Sequence, residues 1–278
     1  MQHLPPLSRR RSVLSIAGSD SGGGAGIQAD LRTICAHGLH ALTAVTALTA
    51  QNTRGVTAIH PCPVDVLAAQ IHSAFEDFDV AAVKIGMLAN VDVIDCVAMA
   101  LRDRPGISVV LDPVMVATSG AALLEPAAIA RLVERLFPRA SVITPNLPEA
   151  LLLGAPNVEK AADLPRTAAA LRQLGARAVL LKGGHLEGPK AIDWLDFESH
   201  TRRFSHPRLP VEGHGTGCTL SSAIACGLAM NMSLDEACKA ATDYVHGALQ
   251  HAYRPGQSSL AVLAHDWRQW QPARAASP

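Results

Sequence analysis

The chain is poor in aromatic residues: three Trp, two Tyr and five Phe make up 4% of its 278 positions. A core built here must rest on Ala, Val, Leu and Ile, the composition of a parallel sheet covered by helices on both faces. Net charge is also lacking, with 24 basic against 24 acidic residues. That removes the electrostatic case for nucleic acid or an anionic membrane as partner. No run of about 18 uninterrupted apolar residues occurs, so no membrane span is expected. Arg9, Arg10 and Arg11 lead into no long apolar segment, so no signal peptide is expected either. The six cysteines, Cys35, Cys62, Cys96, Cys218, Cys226 and Cys238, form no C-x-x-C pair. Their spacing therefore speaks against zinc, and their scatter predicts reduced thiols in a cytoplasmic protein. There is no Gly-Lys-Ser/Thr, so any use of ATP must follow a scheme other than the Walker loop. What is present is 49% apolar and 17% charged residues, ample material for a buried core.

Strand-like runs alternate with helical patterns. Ser12–Ala17 is a short apolar run that stops at Gly18. A glycine loop, 19–26, follows, and then Ile27, Leu31 and Ile34 recur on one helix face with Gly38 as a stop. Val80–Ile85, Val109–Leu111, Val142–Ile143 and Ala178–Leu181 read as further strands. Helical patterns accompany them at Val91/Ile94/Leu101, Ile129/Leu132/Leu136 and Leu164/Leu171/Leu174. The alternation predicts a three-layer α/β/α sandwich with a mainly parallel central sheet. Asp193–Phe197 and Arg202–Leu209 read as an antiparallel hairpin. After Gly217 the pattern is almost wholly helical, with a capping box at Ser233 and Glu236 opening a helix towards Tyr253. One domain over 12–270 is expected, between loose tails at 1–11 and 271–278.

Several motifs sit where such a sheet places ligands. Five glycines fall between Gly18 and Gly26. Gly24-x-Gly26-x-x-Ala29 matches a dinucleotide fingerprint in form, but no acidic residue stands between Asp30 and Asp65 to hold a ribose. A ligand-cradling loop and a tight packing turn remain as readings. Gly215-Thr216-Gly217-Cys218 leads into a small-residue helix, a geometry that offers free N–H groups to an anion. Cys218 would then sit at a helix N-terminus, where a thiol pKa is commonly lowered; a packed small residue is the other reading. Asn146 and Glu149 follow the strand Val142–Ile143 at a spacing of three. They suit a Mg²⁺ site held through oxygen, or a helix cap. Asp112 ends another strand and suits metal-bound phosphate or a turn before Pro113. Lys182 and Gly183 suit nucleotide phosphates, with a solvated lysine as the alternative. The amide of Gln51 can read the edge of an aminopyrimidine or make a loop hydrogen bond.

Seven blocks stand in order: Ala17–Asp30, Thr46–Thr53, Lys84–Leu88, Leu111–Met115, Thr144–Ala150, Lys182–His185 and His214–Ser221. From about Val13 to about Leu249 the chain resembles the bacterial hydroxymethylpyrimidine/phosphomethylpyrimidine kinases of thiamine biosynthesis, within the ribokinase-like superfamily. The resemblance implies that Gly18, Asp20, Ala25, Gln51, Met87 and Val114 line a pyrimidine pocket. It implies that Gly215, Thr216 and Gly217 form an anion hole, with Cys218 where superfamily relatives usually carry an aspartate. Asp112, Asn146 and Glu149 match positions associated with Mg²⁺ and phosphate, and Lys182 and Gly183 match the nucleotide side. The implied cofactors are ATP and Mg²⁺, with a monovalent cation such as K⁺ as a further candidate. The implied reaction is two successive phosphorylations, of the alcohol and then of its monophosphate, by a homodimer. Two rival readings are a pyridoxine/pyridoxal kinase and a non-catalytic ligand-binding protein on the same fold. Three departures stand out: Glu212-Gly213 precede His214 where the family often has Asn-Thr, Thr118 stands where it usually has Lys, and the stretch through Arg11 matches no family role.

Overall fold

The computed structural model describes residues 9–117 and 120–269; Thr118 and the expected tail residues 1–8 and 271–278 lie outside them. In chain order the first elements are β1 (Ser12–Asp20), α1 (Gly26–Ala36), β2 (His40–Asn52), β3 (Gly55–Pro61), α2 (Val64–Asp77), β4 (Val80–Ile85), α3 (Val91–Arg102) and β5 (Ser108–Leu111). There follow α4 (Pro126–Leu136), β6 (Val142–Ile143), α5 (Leu147–Leu152), α6 (Leu164–Gln173), β7 (Ala178–Lys182), β8 (Lys190–Phe197) and β9 (His200–Pro207). The last are β10 (Gly213–His214), α7 (Thr216–Ala229), α8 (Leu234–Gln250) and β11 (Ala261–Val262).

One nine-stranded sheet has the order β3-β2-β1-β4-β5-β6-β7-β8-β9. Strands β2 to β7 in that order are parallel, and β3, β8 and β9 are antiparallel. The expected α/β/α sandwich is observed. Successive side chains of a strand point to opposite faces, and here both faces are buried. Leu14, Val109, Leu111, Val179 and Leu181 enter the core under α2, α3, α4 and α6. Their neighbours Val13, Val110, Ala178 and Leu180 enter the core under α1, α7 and α8. Among the described residues no helix is long and apolar enough to cross a membrane.

Four sequence expectations are corrected. The first strand does not stop at Gly18 but continues to Asp20. Gly18 sits where the register against β2 slips, between Ala17 and Ser19, and a Cβ there would lie 2.8 Å from the sulfur of Met87. The glycine is thus a close-packing position within a strand. The hairpin β2–β3 and the helix α2 had no counterpart in the sequence reading. The strand expected at Arg202–Leu209 ends at Pro207. Finally, the chain after Gly217 is not helical throughout: α8 ends at Gln250, and Val262 returns to pair beside His214.

Candidate active site

Strand order reverses at β1, which has β2 on one side and β4 on the other. Open α/β sheets bind ligands in the crevice outside the carboxyl ends of strands at such a point. Here the crevice is a cavity of about 890 Å³. Gly18, Asp20, Ala25, Gln51, Met87, Asp112, Val114, Asn146, Glu149, Lys182, Gly215, Thr216, Gly217 and Cys218 all line it. Gly183 does not. Its N–H donates to Asp193 at 3.0 Å, and a Cβ on it would lie 2.1 Å from the Ile192 carbonyl oxygen, so it is fixed by packing against β8.

One end of the cavity is built on β1, β2 and the glycine loop. Asp20 is buried and accepts from the backbone N–H groups of Gly22 (2.8 Å), Gly24 (3.0 Å) and Ala25 (2.8 Å). Its Oδ2 also lies 3.0 Å from His214 Nε2. Burial opposes the charge of this carboxylate, but the bonds from His214, Ala25 and Gly22 outweigh it and hold its pKa below the ordinary value. Asp20 therefore shapes the loop with both of its oxygens. Beside it, the main chain of Gln51 is clamped by Ser21, whose hydroxyl donates to the Gln51 carbonyl at 2.7 Å and accepts from its N–H at 2.8 Å. The Gln51 side-chain amide lies between Thr49 Oγ1 and His214 Nε2, 3.2 Å from each. Met87 and Val114 supply apolar wall.

The middle of the cavity is the start of α7. Gly215, its N-cap, has a left-handed φ of 82°, and a Cβ there would lie 1.9 Å from the Gly24 carbonyl oxygen. Only glycine fits. The first N–H bonded back to this N-cap is that of Thr219, at 2.9 Å; the amides of the turn before it are those a helix leaves to a ligand. A Cβ on Gly217 would lie 2.9 Å from Lys182 Nζ and 3.3 Å from Asp112 Oδ2. The start of α7 thus packs directly against the charged cluster.

That cluster forms the other end. Asp112 accepts from Lys182 Nζ at 2.8 Å and from the Thr144 hydroxyl at 3.0 Å, and Lys182 stands 3.9 Å from Glu149. Asn146 and Glu149 form a reciprocal capping box at the start of α5, each bond 2.8 Å long. The cap reading of this pair is therefore realised, and the Asn146 oxygen is already bonded. Burial pushes the Glu149 carboxyl up to about 7, with Lys182 opposing and Asp112 adding to the shift. Lys182 stays charged because Asp112 and Glu149 outweigh its burial.

Cys218 departs from expectation. Helix position alone suggests a lowered thiol pKa, yet burial pushes it up to about 11, against the opposing pull of Lys84. It is a thiol at neutral pH. Lys84, a fully buried cation on β4, was not singled out from the sequence, although one charge inside the apolar run Val80–Ile85 is a legible signal, since a buried charge demands a partner. The partner is Asp30 at 2.8 Å, which also accepts from Ser15 (2.6 Å) and Ser222 (2.8 Å). Thr49 and His214 carry no signal of their own in the sequence; only the folded register brings them to Gln51. Glu212 and Gly213 have structural roles: the Glu212 carbonyl accepts from Ala261 at 3.0 Å, and a Cβ on Gly213 would lie 2.5 Å from Leu249.

Comparison with known proteins bears on this geometry. The phosphomethylpyrimidine kinase family matches residues 20–262. The hydroxymethylpyrimidine/phosphomethylpyrimidine kinase of Rhizobium meliloti (strain 1021) is 50% identical over 261 residues, 93% of this chain and 97% of that protein. Among solved structures, an ADP complex of Bacillus subtilis pyridoxal kinase superposes with a TM-score of 0.87 at 33% identity, over 94% of this chain and 100% of that one. Phosphomethylpyrimidine kinase from Clostridium difficile 630 gives 0.75 at 39% identity, over 85% and 98%.

Proposed function

The chain belongs to the phosphomethylpyrimidine kinase family, and from that membership we propose that it phosphorylates 4-amino-5-hydroxymethyl-2-methylpyrimidine with ATP and then phosphorylates the monophosphate, for thiamine biosynthesis. The observation that carries the reading is a single cavity joining a ring-sized wall at Gln51, Met87 and Val114 to the amides of Gly215, Thr216 and Gly217. The backbone likeness to a pyridoxal kinase favours pyridoxal as the alternative alcohol. Because one fold hosts both chemistries, the 50% identity to a hydroxymethylpyrimidine/phosphomethylpyrimidine kinase decides the order of the two.

The ring lies between Gly18, Ala25, Met87 and Val114, with the Gln51 amide on its edge. Its hydroxymethyl oxygen faces the start of α7. ATP lies over Lys182 with its γ-phosphate at the 215–217 amides. The substrate oxygen attacks phosphorus in line as the bond to the ADP oxygen breaks, the hydroxyl proton passes late to the transferred phosphoryl group, and charge gathering on the phosphoryl oxygens is met by those N–H groups and the α7 dipole. Cys218, protonated at neutral pH, holds the hydroxyl in place and is not a general base. Mg²⁺ usually binds through one or two carboxylates and the substrate's phosphates. Asp112 and Glu149 fit this pattern, since Glu149 is a buried carboxyl whose charge lacks full compensation. The metal would supply charge neutralisation on the phosphates. Asn146 contributes through the cap that holds Glu149, and Gly183 through the packing of the Lys182 strand end. A monovalent cation such as K⁺ remains a further candidate cofactor.

The residues from 12 to 270 form one domain in this reading, supported by the uninterrupted nine-stranded sheet. A homodimer is supported by the exposed edge strand β3 and by Leu48, 56% exposed on the neighbouring β2. A cytoplasmic setting is supported by six free cysteines. The test is ADP release and phosphorus-31 NMR of product, with purified protein, Mg·ATP and either the aminopyrimidine alcohol or pyridoxal. Conversion of the pyrimidine to its mono- and then diphosphate is expected. No product from the pyrimidine overturns the reading, and tenfold preference for pyridoxal reverses the order of the two activities.

A further inference from the structure

We infer that His214 is a positioning residue that fixes the side-chain amide of Gln51, turning its oxygen towards His214 and its nitrogen towards Thr49. The inference rests on the proposed role of Gln51 in reading the ring edge.

Four contacts determine the orientation. Asp20 Oδ2 lies 3.0 Å from His214 Nε2. A carboxylate only accepts, so Nε2 carries its one proton, which an acceptor on the Gln51 side can share with Asp20 in a three-centre hydrogen bond. The amide group of Gln51 lies 3.2 Å from the same Nε2, with its nitrogen placed on that side. Two donors cannot bond one another. The oxygen and nitrogen of an amide have nearly the same shape, and hydrogen bonding alone decides between them. The second neighbour gives the same answer. The Thr49 hydroxyl has one proton, which it donates to the Ser19 carbonyl at 2.8 Å. Towards Gln51, 3.2 Å away, it can then only accept. Both neighbours demand nitrogen at Thr49 and oxygen at His214. The two hydrogen bonds between Ser21 and the Gln51 main chain fix where the side chain starts.

This orientation has a chemical consequence. After Thr49 takes one amide N–H and His214 takes one lone pair, one N–H and one lone pair remain for the cavity. The acceptor is on the His214 side and the donor on the Thr49 side. A ring edge with an amino group next to a ring nitrogen satisfies both in a single pose, its amino group towards His214. A ring with hydrogen in place of the amino group leaves the acceptor without a partner. Asp20 and His214 thus make Gln51 selective for an amino-bearing ring, by denying the amide its other orientation. Neither residue touches the ring in this scheme.

The test is kinetic. The wild type, His214→Phe, Gln51→Leu and the double variant are assayed on the aminopyrimidine alcohol and on its analogue with hydrogen replacing the amino group. His214→Phe is expected to lower the selectivity for the amino ring by at least about tenfold, through KM more than kcat. In the Gln51→Leu background the same substitution should change selectivity little, because contacts acting through one group are not additive. Thr49→Val approaches the amide from the opposite side and should lower selectivity in the same way, with Thr49→Ser restoring it. This second pair decides the matter if His214→Phe does not fold. Equal loss of selectivity from His214→Phe with and without Gln51, or unchanged selectivity in Thr49→Val, overturns the positioning role and leaves the function standing. If Gln51→Leu itself leaves the aminopyrimidine kinetics unchanged, the reading of Gln51 falls, and this inference with it.

Discussion

At Gly217 the absence of a side chain keeps the turn proposed to bind the phosphoryl group against Lys182 and Asp112, whose charged atoms lie 2.9 and 3.3 Å from the position a Cβ would take. Gly217→Val pushes that turn off the cluster and misaims its amides. Loss of one such donor typically costs a factor of about 10²–10³, so kcat should fall at least about 100-fold while circular dichroism shows the fold retained. Cys218→Ala should lower kcat more than the KM of the alcohol, since the thiol stands at the reacting oxygen and not on the ring. Its ionisation is open to direct measurement. A thiol raised to about 11 is alkylated slowly at neutral pH, and the rate should climb as pH rises towards that value. A rate already at its plateau at pH 8 would make Cys218 a thiolate and a candidate base. Part of this was legible beforehand. The glycines and the cysteine at 215–218 follow from what a helix N-terminus does to anions. The direction of the Cys218 shift does not, because burial under the loop outweighs the helix, and burial is a property of the fold.

Helix α5 shows how an element carries a site residue. Asn146 and Glu149 cap each other, and the same bonds hold Glu149 near Lys182. Asn146→Ala should destabilise the protein by about 1 kcal/mol in urea unfolding and raise the KM for Mg·ATP. Asn146→Ser, which keeps a capping oxygen, should restore most of both. A variant that loses Mg·ATP affinity equally with Ser and Ala would instead make the amide itself a ligand. The strands of the central sheet were readable because burial on both faces leaves unbroken apolar runs, as at Val109–Leu111 and Ala178–Leu181. The β2–β3 hairpin was not. Its residues Thr46, Thr49 and Gln51 alternate with alanines and Leu48, and the pattern is shaped by the cavity on one side and solvent on the other. No single period describes such a strand, so the Thr49 that flanks Gln51 stayed invisible until the register placed it.

Across the whole molecule, Asp30 gathers Ser15 of β1, Lys84 of β4 and Ser222 of α7 around one buried carboxylate. Lys84→Met leaves that charge uncompensated and should cost about 3–5 kcal/mol. Lys84→Met with Asp30→Asn should cost less than the sum of the two single changes, measured by chemical denaturation. At the far edge, Leu48→Glu should convert the proposed dimer to monomers in sedimentation, without loss of the fold. The contact between Asp20 and His214 joins residues 194 positions apart. A ribosome adding about 5–20 residues per second therefore finishes the glycine loop roughly 10–40 s before the histidine that braces it exists. Through that interval the nascent chain carries one half of an enzyme. A transcript broken after codon 182 and before codon 215 gives a protein with Gln51, Met87 and Val114 and the cluster of Asp112, Glu149 and Lys182, but without the turn of Gly215 to Cys218.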